Sequence, residues 1–445
     1  MKKRLSRLVG IAGLLLNAQG AFGLTPTNFS LPHEGYLWTS SKYLVPDYYD
    51  KEDPKTFRLS CGAGVEYGFS PKGYDRSGNN VLPYQIYYPS ENLLDANFPA
   101  DKQNMIAAFS NMTLLGGNSV AKQTADSGLR FKMADGVSVK ETDIMLWSRL
   151  ALPIESMPGQ IEVSAYCPVK FMDVSSVSWD PVDEVASMVP PIGGLSYLSA
   201  AEKINLLQTG NSNNLTAASW NKVGLGDLNV LISWKHHYTQ VNDALSSVGL
   251  YAQSGLSMPT GSRNDLDKVL ALPFGYDGAA AIPMSLGINL HFSKNLRLCG
   301  SVDAAIFFGE RANRMVRTKE SEGALWLGKE SNVYRTPGML LGFNALFEVI
   351  SSCKRYSLGF LYSFLKKAED KYTSDSKSFN LDIQNKSEFA LEKSCHNVTF
   401  RASVDLKEIS DSNFAPSLSF SYKYPLKGER MVLFKTVKIE ASINF

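Results

Sequence analysis

The chain has 445 residues with 45 Lys and Arg against 43 Asp and Glu, a formal net charge of +2, and 20% charged and 11% aromatic residues. A balance this close to zero gives no global electrostatic reason to bind nucleic acid. No stretch beyond the N-terminus offers about 18 consecutive apolar residues, so no second membrane helix is expected.

The chain opens with an export signal. Lys2, Lys3, Arg4 and Arg7 form a positive n-region, Leu8 to Leu16 a short apolar h-region, and Ala21-Phe22-Gly23 the small residues around a cut before Leu24. Removing residues 1–23 takes away four cations and no acids, so the charge passes from +2 to +2 − 4 = −2. Residues 24–56, rich in Pro, Asp, Tyr and Ser, read as a periplasmic lead-in. A β-barrel is expected over 57–445.

Period-two patterning dominates from there on, which is the signature of strands with one apolar face. Phe57, Leu59, Cys61, Ala63, Val65, Tyr67 and Phe69 alternate with Arg58, Ser60, Gly62, Gly64, Glu66 and Gly68. Weaker strands are expected near 81–89, 126–134 and 137–152. The insert at 90–120 breaks the alternation and reads as a short helix at the barrel mouth or a plug in the lumen. Ile161 to Phe171 alternates again, and 173–227 follows as a long outer loop with a helical stretch over 198–208. Further alternating segments run from Leu228 to Trp234, Val248 to Met258, Ile282 to Phe292, Leu296 to Phe308, Met339 to Val349, Tyr356 to Phe364, Val398 to Leu406, Leu418 to Tyr424 and Val437 to Phe445. The total is about fourteen strands, within twelve to sixteen.

These segments have the length needed to cross a bilayer at a tilt, and aromatic residues cluster at their ends. Connections at 153–159, 239–247, 293–295, 351–354 and 408–415 are short. Those at 173–227, 259–280, 309–337, 366–395 and 425–430 alternate with them, and four of these five exceed twenty residues. Sorting of loop length by parity predicts a closed antiparallel transmembrane β-barrel with short periplasmic turns and long outer loops.

The chemistry of enzymes is not evident. There is no G-x-S-x-G and no H-E-x-x-H. Gly323 to Lys329 spells G-x-x-x-x-G-K, but Glu330 stands where a phosphate loop needs a hydroxyl. His236 and His237 are adjacent, so on a strand they point to opposite faces, and His33, His291 and His396 are isolated. Cys61, Cys167, Cys299, Cys353 and Cys395 lack zinc spacing; most read as small apolar side chains, with one bridge, Cys353 to Cys395, left open. No enzyme activity, cofactor or metal is expected.

The polar phase of the strands supplies the candidate functional residues: Arg58, Glu66, Glu162, Lys170, Asp227, Lys235, Arg297, Asp303, Glu348, Arg401, Asp405 and Lys438. By alternation they face the lumen, where charges of mixed sign tune selectivity or pair across strands and fill space.

Val223-Gly224-Leu225-Gly226-Asp227-Leu228 and Gly255-Leu256-Ser257-Met258-Pro259-Thr260-Gly261 resemble the Gly-Leu-Gly-Asp and Pro-Thr-Gly elements of the outer-membrane transporter family linked to phenol degradation. That family is similar in architecture to the FadL-type channels for hydrophobic compounds, and the resemblance implies fourteen strands, an N-terminal plug and a diffusion channel. Terminal Phe445 resembles the signal read by the barrel-assembly machinery.

The expectation is therefore an exported bacterial outer-membrane channel or porin for passive diffusion of small solutes, apolar compounds among them. The alternative is a structural or adhesive surface protein with a closed lumen. Expected partners are the lipid bilayer with its lipopolysaccharide, the assembly machinery and small solutes, with no nucleic acid. The apolar wall fits lipid or another copy of the chain, so a homo-oligomer stays open.

Overall fold

The computed structural model describes residues 58–444 apart from 71–72, 82–130, 134–137, 153–157, 178, 182–218, 240–244, 267, 269–270, 272, 293–294, 317–327, 354, 375–380, 388–389, 407–414 and 433. The signal, the lead-in, the insert at 90–120, the 198–208 stretch and Phe445 lie outside the described residues.

Twelve long antiparallel strands make the wall. They are β1 (Arg58–Ser70), β2 (Ser138–Leu152), β3 (Gln160–Ser175), β4 (Leu228–Thr239), β5 (Ser247–Met258) and β6 (Ala281–Phe292). Then follow β7 (Leu296–Phe307), β8 (Leu340–Ile350), β9 (Tyr356–Lys367), β10 (Lys393–Asp405), β11 (Ala415–Glu429) and β12 (Lys435–Asn444). Each pairs with the next, and β12 returns to β1 with Ser60 opposite Asn444 and Phe69 opposite Lys435, so the sheet closes. Closure leaves no edge strand with unpaired amides.

The sheet holds thirteen strand elements, because Trp220–Leu225 and β4 both pair with β3 and form one wall strand broken at Gly226-Asp227. The wall therefore begins at Trp220, inside the segment assigned above to the long loop. Twelve lies within the expected range: of the three weak segments 137–152 is wall strand β2, and the described residues of the other two stand outside the wall. Asn80–Val81 pairs with Gly73–Tyr74, and Phe131–Met133 with Trp179–Pro181, in small sheets of their own. Short alternating runs next to turn residues look the same in sequence whether or not they join the wall.

Burial alternates with period two and is inverted relative to a water-soluble barrel. On β3 every even residue from Gln160 to Val174 is buried and each odd one is partly exposed. The buried set is rich in Glu162, Ser164 and Lys170, while Leu286, Val302, Phe343, Leu358 and Phe400 are all exposed on the outside. The hydrophobic effect would expel such a surface from water, and an apolar surround removes that cost.

Loop length sorts by end. β2–β3, β4–β5, β6–β7, β8–β9 and β10–β11 join through short turns, at the end that also carries both sheet termini. The opposite end carries the long connections. Two of them, β7–β8 and β9–β10, combine in a three-stranded ribbon of Glu310–Val316, Gly328–Thr336 and Lys371–Thr373, with the five-residue helix α1 (Leu381–Asn385) beside it. Lys329 and Glu330 sit in this ribbon opposite Met315 and Arg314, with a strand where a phosphate loop needs a helix.

None of the five cysteines forms a disulfide. Cys395 pairs opposite Leu365 near the long-loop end of β9, whereas Cys353 lies in the turn before Tyr356. Nine residues at about 3.3 Å each separate Leu365 from Tyr356, roughly 30 Å along the wall, so the open Cys353–Cys395 bridge is excluded.

Candidate functional site: the charged lumen wall

The strand alternation that turns leucine and phenylalanine outward turns every second polar residue inward, and the inward charges meet their neighbours on adjacent strands. Lys170 on β3 is fully buried and bonds Glu141, with Asp143 at 2.9 Å, both on β2. Toward the short-turn end of β3, Glu162 receives Lys235 at 2.8 Å from β4 and Arg149 at 3.4 Å from β2. On the facing part of the wall Arg297 (β7) meets Glu348 (β8) at 2.5 Å, both at 0% exposure. Ser357 donates to Glu348 at 2.8 Å and lies 2.6 Å from Ser403.

The last belt crosses the closure. Lys438 pairs with Glu440 at 3.0 Å on β12, Glu440 also accepts from the Trp147 indole at 3.1 Å, and Lys423 reaches Glu66 at 3.8 Å. Arg401 is buried on the same face of β10. Asp405 ends β10 opposite Ser417, and its amide donates to the Arg355 carbonyl at 2.8 Å. Arg58 opens β1 opposite Ala151. The wall thus collects Glu66, Glu162, Lys170, Lys235, Arg297 and Glu348 into strand-to-strand pairs, and Lys438 into a pair within β12. The sequence list missed their partners Glu141, Asp143, Arg149, Lys423 and Glu440; for the first three, on β2, the alternation is masked by inward Met145 and Trp147.

Asp227 does something different from pairing with a cation. It sits in the break of the wall strand. Its carboxylate accepts from the Gly261 amide at 2.9 Å and the Tyr276 amide at 2.6 Å. Thr260 Oγ1 donates to the Gly226 carbonyl at 3.0 Å and accepts from the Leu228 amide at 2.9 Å. The Gly226 amide donates to the Pro168 carbonyl at 2.8 Å, keeping β3 attached. The two glycine motifs, separated in sequence by residues 229–254, form one clasp, which folds segment 259–280 over the break. A side chain at Gly275 would collide with the Asp227 carboxylate, so the close approach requires glycine there.

That segment carries Asp277 into the long-loop cap. Asp277 takes Arg314 at 2.5 Å and Arg335 at 3.3 Å, and accepts from the Asn264 amide at 2.9 Å. Burial alone would raise its carboxyl, but Arg335 and Arg314 hold it below the usual carboxylate range. Burial pushes the neighbouring Tyr372 hydroxyl up to about 12.

On the lumen face of β4 to β9 a small cavity of about 30 Å³ is lined by Lys235, His237, Tyr251, Asn289, Cys299 and Leu346, among others. Beside it the His237 ring comes within 6.4 Å, centre to centre, of His291, far away in sequence, whereas His236 turns to Trp234 and Tyr238. Among the described residues no group of three His, Cys, Asp or Glu is arranged to hold a metal ion.

No protein-family model and no curated protein sequence matches the chain. Among solved structures it is similar to an outer-membrane channel from Pseudomonas putida F1, at 11% identity over 90% of this chain and 99% of that one, with a TM-score of 0.47. A Pseudomonas putida toluene transporter matches at 9% identity, 95% of each chain and a TM-score of 0.30. A Pseudomonas aeruginosa FadL homologue matches at 9% identity over 87% of this chain and 89% of that one, with a TM-score of 0.27.

Proposed function

We propose that the chain is a channel of the bacterial outer membrane, exported by its N-terminal signal, through which small solutes, apolar compounds among them, diffuse passively. The observation that carries this reading is the inverted closed sheet. Charges and hydroxyls are buried inside, and large apolar side chains such as Leu286 and Leu358, at 65% and 67% exposure, stand outside. Lipid is the surround that makes such a surface favourable. Both termini of the sheet lie at the short-turn end, which supports a periplasmic side for that end and an outer side for the long loops.

Twelve strands fall between the eight that fill their interior with side chains and the sixteen that leave a wide aqueous pore. The charge pairs join neighbouring strands, so they lie along the wall and a narrow path between them is the expected route. The complete burial of Lys170, Arg297 and Glu348 favours a second reading, a surface protein with a closed lumen.

Swelling of proteoliposomes in isosmotic solutes of graded size separates the two. The channel reading expects swelling whose rate falls steeply with solute size. No swelling with any solute, from a barrel shown to be folded by its heat-modifiable migration, would overturn it.

A further inference from the structure

We infer that Asp303, Ser285, Ser301 and Asn344 form a binding station for a monovalent alkali cation on the lumen wall; its bearing on transport rests on the channel reading above. Asp303 on β7 is fully buried, at 0% exposure, yet it differs from the other inward acids. Among the described residues no Lys, Arg or His forms an ion pair with it. Its contacts are a donated hydrogen bond from the Ser285 hydroxyl on β6, one from Asn344 Nδ2 on β8 at 2.5 Å and one from the Ser301 hydroxyl on its own strand, all neutral donors. The same amide nitrogen donates to Ser301 Oγ at 3.1 Å. Opposite Asp303 on β8 stands Gly342, which sets no side chain of its own against the carboxylate; the position its Cβ would take lies beside Leu365.

A buried carboxylate with only neutral neighbours is costly unless a cation or a proton balances it. A second observation points to the cation. Asn344 is 4% exposed, and its Oδ1 is buried without a hydrogen-bond partner. Turning this amide over brings its oxygen toward Ser301 and Asp303, giving a set of carboxylate, hydroxyl and amide oxygens on three adjacent strands. Oxygen-only donors select hard cations over the softer metals that prefer imidazole and thiolate. A single carboxylate balances a single charge, which favours an alkali ion over a divalent one.

The test compares thermal unfolding of the refolded barrel in sodium chloride and in tetramethylammonium chloride at equal ionic strength. The two salts screen alike, but the organic cation is too large for the station. The wild type is expected to unfold at a higher temperature in sodium chloride, with the difference abolished in Asp303→Asn and reduced in Asn344→Leu. Equal transitions in the two salts, or a difference that survives in Asp303→Asn, would overturn the station. Asp303→Asn preserves shape, so its folding is checked by the same melt. In planar bilayers, wild-type preference for cations should shrink toward neutrality in Asp303→Asn. A conducting barrel with unchanged preference contradicts the station, whereas a silent barrel counts against the channel reading and leaves the salt comparison to decide the station.

Discussion

The Gly261 amide donates to Asp227 at 2.9 Å, and with that bond segment 259–280 is tied across a break in the barrel wall. Asp227 holds a second amide, that of Tyr276, at 2.6 Å, so one carboxylate anchors both ends of the covering segment. A carboxylate accepting backbone amides in a water-poor site makes stronger bonds than a neutral acceptor does.

Asp227→Ala should therefore cost about 2–4 kcal/mol, since two charge-assisted bonds are lost and two amides are left without acceptors. The segment should also become accessible to protease while the wall stays folded. Urea unfolding followed by heat-modifiable migration, with limited proteolysis alongside, checks both. An unchanged transition with a protected segment would mean that Thr260 alone holds the clasp.

The Arg297–Glu348 pair allows a sharper contrast. Arg297→Ala leaves a buried carboxylate with Ser357 as its neutral donor and should destabilise by about 3–5 kcal/mol. The double variant Arg297→Met, Glu348→Leu should be much closer to wild type, because neither charge is then stranded. Urea midpoints of the three proteins decide. Equal losses in the single and double variants would contradict the pairing.

Acid should loosen the cap before it opens the wall. Asp277 is held below the usual carboxylate range by Arg335 and Arg314. A lowered folded value means that its contribution is present above the unfolded carboxylate range and is lost as pH falls through the folded value. Proteolysis of the long loops should therefore rise at strongly acid pH, and Asp277→Asn should be cleaved already at neutral pH with little further change on acidification. A variant that tracks the wild type at every pH would remove Asp277 from this role.

The outward face carries its own prediction. Leu286 is 65% exposed on β6, and Leu286→Arg should cost about 2–4 kcal/mol if that position lies near the bilayer midplane. Folding yield into lipid vesicles measures it. A yield equal to wild type would mean that this face is not in lipid.

Much of this architecture was legible in the residues because strand alternation has a period of two and the wall has two unlike faces. Glu162, Lys170, Arg297, Asp303 and Glu348 fell on the polar phase of clear strands, and the structure buries all five. The strand count was harder. The stretches near 81 and 131 carry the same local pattern as a wall strand but pair only with short partners. The partners of the charges were hidden as well, since Glu141, Asp143 and Arg149 lie on β2, where Met145 and Trp147 share the inward face. Nor could spacing reveal that Asp227 contacts Gly261, because the register that joins them is a property of the closed sheet. Resemblance of the two glycine motifs to a known family marked the place, and the clasp supplies its physical reason.

Whether the barrel encloses a path for solutes is read by single-channel recording of refolded residues 24–445 in a planar bilayer. An open path gives steady current steps whose ion preference changes when the charge of Arg297 or Arg401 is reversed. A folded, heat-modifiable barrel that passes no current and no solute would contradict it and leave a closed surface protein as the better description.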